Sequence, residues 1–135
     1  MTRMRSWLTM RSIAVRPEGA LDDPRASRGQ RLRAARALVA RCESDRAAEA
    51  LVRRLAPSMI ARDEERARLI LEAMKTAFGA ALVPAGQVTI IRAIVPLLER
   101  ESLRAHAAAV LVTMHDALVR AAAGTCSKRG AHDLR

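Results

Sequence analysis

One segment constrains the fold more than any other: residues 102–123, where Leu103, Ala107, Val110, Met114, Ala117 and Ala121 recur at alternating steps of four and three. Only a helix of 3.6 residues per turn lines such positions along one face. Leu111 and Leu118 widen that stripe, and Gly124 is a natural stop because glycine accepts the conformations that end helices. A long amphipathic helix needs other elements to cover it, and upstream segments of the same period can do so.

The first of these starts near Ser27. Leu32, Ala35, Leu38, Val39 and Cys42 form its apolar stripe, and Arg28, Arg31, Arg33, Arg36 and Arg41 largely fall off it. A second runs over residues 44–55. Ser44 is its N-cap, Asp45 complements its positive end, and Ala47, Ala48, Leu51, Val52 and Leu55 are apolar. These two segments read equally as one bent helix or as a hairpin. Pro57 breaks the run and can open the next helix. There Asp63, Glu64 and Glu65 come early and Lys75 late, with Met59, Ala67, Ile70, Met74 and Phe78 as the apolar series and Gly79 as the residue just past the end. Residues 87–95 contain Val88, Thr89, Ile90 and Ile91, which suit a strand, but Val88, Ile91 and Val95 keep helical spacing, so helix is expected. Pro96 kinks or restarts it.

Composition agrees. Half the residues are hydrophobic, yet the only aromatic residues are Trp7 and Phe78, and Tyr is absent. That balance disfavours a β fold. The expectation is an all-α fold: a small helical bundle of four or five helices over residues 27–123. Flexible tails flank it, a basic N-terminal arm and linker over 1–26 and a polar tail over 124–135. Its core should contain Leu32, Leu38, Leu51, Leu55, Ile70, Met74, Ile91, Val95, Leu98, Leu103, Val110, Leu111, Met114 and Leu118. Residues 1–16 hold four Arg and no acid, a composition shared by transit peptides, by a start assigned upstream of Met4 or Met10, and by a flexible arm; targeting is the least favoured. Near-copies of Ala-Leu-Val-Arg are too irregularly spaced to be a repeat.

Motifs for chemistry are lacking. His106 and His115 do not share a helix face, His132 lies in the tail, and no Cys pair has metal-ligand spacing, so no metal or cofactor is expected. Cys42 sits on an apolar stripe and reads as an inert thiol; Cys126, near Lys128 and Arg129, has no base beside it. Glu65 and Glu72 share a face, but Arg62, Arg66 and Arg68 interleave the carboxylates and neutralise them. The run from Gly124 to Lys128 lacks the strand and glycine of a phosphate loop. Around the Pro84-Ala85-Gly86 turn, a helix-turn-helix would place residues 87–95 in the major groove, where Arg92 is the only charged side chain. No catalytic residue is expected, no apolar run is long enough for a membrane span, and two cysteines fit a reducing cytoplasm.

Charge is what remains. The chain carries +10, and residues 1–41 hold ten Arg against Glu18, Asp22 and Asp23. Arg25, Arg28, Arg31, Arg33, Arg36 and Arg41 are the candidate contacts to nucleic-acid phosphates, because guanidinium binds phosphate bidentately. Without aromatic stacking platforms such binding would be backbone-driven and non-specific. Ala- and Arg-rich composition also arises from GC-rich coding alone. The expected function is therefore a non-enzymatic accessory binding protein contacting nucleic acid through its Arg-rich first third. The alternative is a helical protein–protein interaction module, a homo-oligomer or the subunit of a larger complex, using the wide apolar face of the last two helices. An enzyme, or a pocket between helices for a small apolar ligand beside Met59, Met74 and Met114, is a third reading.

Overall fold

The computed structural model describes residues 17–42, 44–80 and 86–133, with side-chain surroundings over 19–42, 44–80 and 86–123. Expectations for residues 1–16, for Pro84 and Ala85, and for the side chains of Cys126 and His132 lie outside them. Among the described residues the protein is all-α, with no strand and seven α-helices rather than four or five. They are α1 (Pro17–Asp22), α2 (Arg28–Ala40), α3 (Asp45–Arg53), α4 (Pro57–Arg62), α5 (Glu64–Gly79), α6 (Gln87–Ile94) and α7 (Glu101–Asp133), with a 3-10 turn, Val95–Glu99, between the last two.

Local side-chain chemistry divides the chain. Ser27 opens α2 through a reciprocal capping box: its hydroxyl accepts from Gln30 N at 3.2 Å, and its own N–H donates to Gln30 Oε1 at 3.1 Å. Ser44 caps α3 by accepting from Ala47 N, so residues 28–53 form two helices rather than one. Pro57 occupies the first turn of α4, as its missing N–H permits. Asp63 then interrupts what reads in sequence as one long helix: its backbone leaves the helical region, and its carboxylate accepts from Arg66 N at 3.1 Å as the N-cap of α5.

The core is built around α5, which packs against α2 on one side and most extensively against α7 on another. Buried from α5 are Ala67, Ile70, Leu71, Ala73, Met74 and Phe78; α7 contributes Leu103, Ala107, Val110 and Met114. Seven expected core residues are buried: Leu51, Leu55, Ile70, Met74, Leu103, Val110 and Met114. Leu38, Ile91, Leu98, Leu111 and Leu118 pack partly buried against them, and Leu32 is half-buried.

Four expectations are corrected. In α6 the buried residues are Ile90 and Ile94, followed by Leu97, and Val95 is 47% exposed. Both series obey helical spacing, and the larger Ile and Leu side chains remove more apolar area from water than Val does. Residues 17–26 are not merely a linker, because α1 forms there and buries Leu21 completely. Gly124 does not stop the last helix, which continues to Asp133. An interior glycine costs a helix about 1 kcal/mol but, unlike proline, removes no hydrogen bond. Gly79 likewise lies inside α5, and Ala80 is the C-cap.

The glycines give a paired prediction. A Cβ on Gly79 would meet only Thr113 Cγ2 at 3.7 Å, whereas one on Gly86 would lie 2.7 Å from Ala48 Cβ. Gly79→Ala should stabilise by about 0.4–1 kcal/mol. Gly86→Ala should destabilise by about 1–3 kcal/mol, because α3 must shift to admit the methyl group. Urea midpoints of opposite sign relative to the parent check both.

Candidate nucleic-acid interface

Arginine is used in two opposite ways in this fold. Some guanidinium groups hold the helices together, and others face water without an ion pair among the described residues. The six sequence candidates divide between the two classes.

Arg31 belongs to the first class. It is 4% exposed, and its Nε and Nη2 both donate to the Leu21 carbonyl, at 3.2 and 3.0 Å. Nη2 also pairs with the Asp63 carboxylate. A carbonyl in the last turn of α1, lacking an intrahelical partner, is thus satisfied from α2. The expectation that Arg31 lies off the buried stripe is corrected: α2 buries Arg31, Ala34, Ala35 and Val39. As placed, Arg31 has no free face for a phosphate.

Next to it stands a second cluster. Asp22 receives a two-pronged contact from Arg54, Nε to Oδ1 at 2.9 Å and Nη2 to Oδ2 at 3.1 Å, and Arg66 Nη1 reaches Oδ1 at 2.9 Å. Burial pushes the Asp22 carboxyl upward, but Arg54 and then Arg66 outweigh it and hold its pKa below the ordinary value of 3.8. Arg66 Nη2 reaches the Met59 carbonyl at 3.4 Å, while its Nε is buried without a hydrogen-bond partner. Arg54 and Arg66, like Asp22 and Asp63, do not stand out in the sequence as a cluster. Their contacts span distant chain positions, so no local spacing announces them.

Arg28 is also engaged. It bridges Glu72 at 2.8 Å and Glu65 at 3.5 Å, joining α2 to the carboxylate face of α5. Arg68 pairs with Glu64 and Glu65 on that helix, as their spacing implies, but Asp63 and Glu72 are paired from α2 by Arg31 and Arg28, and Arg66 turns to Asp22 instead.

The remaining candidates face solvent. Arg25, Arg33, Arg36 and Arg41 are exposed and have no ion pair among the described residues. Arg33 and Arg36 project from the side of α2 opposite its buried residues, and the Nε of Arg33 reaches no farther than the Gly29 carbonyl at 3.4 Å. Arg41 borders a groove of about 320 Å³ between α2 and α3, lined also by Leu38, Ala47, Ala50, Leu51 and Arg54. On α3, Arg46 and Arg53 are exposed one heptad apart and form no ion pair among the described residues; that spacing is readable in the sequence, although the absence of a pair with the neighbouring acids is not. The acids beside them are Asp45 and Glu49.

Other chemistry is thin. A groove of about 440 Å³ between α5 and α7 is lined by Arg28, Leu71, Glu72, Lys75, Ala105, His106 and Ala109. There His106 Nδ1 is buried without a hydrogen-bond partner. Met74 and Met114 are core filler and border neither groove. Cys42 is buried, and desolvation raises its thiol pKa to about 11, leaving a poor nucleophile. Among the described residues no group of three or more His, Cys, Asp or Glu side chains could hold a metal ion. No helix described is long and apolar enough to cross a membrane. No protein family, curated protein or solved structure matches this chain.

Proposed function

We propose that the protein is a non-enzymatic, cytoplasmic accessory protein that binds the phosphate backbone of nucleic acid through the exposed arginines of α2 and α3. One observation carries this reading: after the fold has used Arg28, Arg31 and Arg54 for its own ion pairs, Arg33, Arg36, Arg41, Arg46 and Arg53 remain exposed and unpaired on two adjacent helices. A net charge of +10 supports attraction to a polyanion, and the fork of each guanidinium suits phosphate oxygens. With no aromatic side chain on α2 or α3 to stack on bases, contact is with the backbone and sequence preference is weak.

The test is titration against generic duplex DNA and single-stranded RNA across a salt series. Log affinity should fall linearly with log salt, and Arg33→Gln/Arg36→Gln/Arg41→Gln should reduce the duplex slope by about 0.9 for each phosphate that is no longer neutralised. Arg31 must stay intact, because its removal tests folding instead. No binding at low salt, or an unchanged slope in the triple variant, refutes the reading. A second reading, a protein–protein interaction module, is favoured by Val112 and Val119, which stand 60% and 51% exposed on α7.

A further inference from the structure

We infer that Asp22 is an autoinhibitory mask over Arg54, which becomes a further phosphate-binding residue of the arginine face once that carboxylate is moved aside. The inference rests on the phosphate-binding reading of α2 and α3 and names a regulatory contact within it.

Position comes first. Arg54 is the C-cap of α3, next to the exposed Arg53, and it lines the same groove between α2 and α3 that Arg41 borders. Its guanidinium thus stands beside arginines that form no ion pair among the described residues, yet it does not share their freedom. Nε donates to Asp22 Oδ1 at 2.9 Å, Nη2 to Asp22 Oδ2 at 3.1 Å, and Nη1 to the Ala50 carbonyl at 2.9 Å. The edge formed by Nε and Nη2 is one that grips a phosphate through two parallel hydrogen bonds, and Asp22 fills it. A carboxylate and a backbone phosphodiester each offer a pair of oxygens and a single negative charge, so they compete for that edge.

The carboxylate can let go without unfolding α1. Asp22 is the last residue of that helix, and its side chain is 40% exposed against 14% for Arg54, so it is the outer partner of the pair. Other groups anchor α1: Leu21 is fully buried, and its carbonyl accepts from Arg31. Rotation of one side chain frees the edge while the backbone stays in place. Arg66, which shares Asp22 Oδ1, is 7% exposed and does not line the groove, so Arg54 is the arginine that is uncovered there. Asp23, the next residue, is exposed and has no ion pair among the described residues, so it carries the same charge without covering an arginine.

The salt dependence of duplex DNA binding by the full chain tests this. Asp22→Asn and Asp22→Ala should each steepen the slope of log affinity against log salt by about 0.9, the contribution of one more neutralised phosphate. Asp23→Asn, which removes a neighbouring carboxylate and uncovers no arginine, should keep the parent's slope. Arg54→Gln alone should keep it too, because a masked arginine adds nothing, and combined with Asp22→Asn it should abolish the gain. Unchanged far-UV helical signal checks that each variant is folded, and the Arg54→Gln comparison stands even where an Asp22 variant is not. Asp22 variants with the slope of Asp23→Asn overturn the mask. A gain that survives Arg54→Gln overturns it as well, as does a parental slope that falls with Arg54→Gln alone. Those failures leave parental binding intact and spare the phosphate reading, whereas absence of binding by the parent and by every variant at low salt overturns both.

Discussion

Replacing Arg31 with alanine is expected to lower unfolding free energy by about 3–5 kcal/mol, a large part of the total for a domain of this size. The loss comes from what stays behind more than from what is removed. Asp63 is left as a carboxylate in a largely buried position, and the Leu21 carbonyl loses both of its donors. With its side chain 14% exposed, Asp63 regains only part of the hydration that an unpaired carboxylate needs. Arg31→Met/Asp63→Asn should recover much of the deficit, because it removes the stranded charge while Asn still caps α5. Arg36→Ala, on the outward side of the same helix, should stay within about 0.5 kcal/mol of the parent. Urea unfolding of these variants checks the ranking. If Arg31→Ala proves as mild as Arg36→Ala, the guanidinium is solvated and the α1 anchor is not built as described.

The same contrast explains how far sequence reaches. Periodicity identifies the helical class and most of the inner face of α7, because Leu103, Val110 and Met114 leave only one way to bury a stripe. It fails in α6, where Val88, Ile90, Ile91, Ile94 and Val95 offer two faces of equal spacing, and tertiary packing chooses between them. It fails again at Arg31, since a charged residue is assigned to the surface unless its partners are known, and those partners are ten and thirty-two residues away. Capping is the more local signal. Ser44 is legible, but Asp63 reads as an acid early in the helix that Pro57 opens, because Pro57 already supplies a plausible start. For the candidate interface, sequence delivers the excess of arginine and not its division into bonded and free groups. That division narrows the six candidates to Arg25, Arg33, Arg36 and Arg41 and adds Arg46 and Arg53.

Phe78→Ala is expected to cost about 3–5 kcal/mol, by loss of transfer free energy and by the cavity left behind. Phe78 is the chain's one phenylalanine and is fully buried near the end of α5, the helix that packs most extensively against α7. Many of its buried companions are small: Ala34, Ala35, Ala48, Ala67, Ala73 and Ala107 bury little area each. These alanines cannot extend into a void by changing rotamer, so they do not help to refill the space that Phe78 leaves. Phe78→Leu, which keeps most of the volume, should cost much less than Phe78→Ala. Chemical denaturation with an unchanged m-value would assign the whole difference to the folded state. A loss below about 1 kcal/mol for Phe78→Ala would mean that α5 and α7 close over the space. The alanine contacts between them would then be loose enough for the helices to slide, and the inward face of α7 would be less firmly fixed than its unbroken buried series requires.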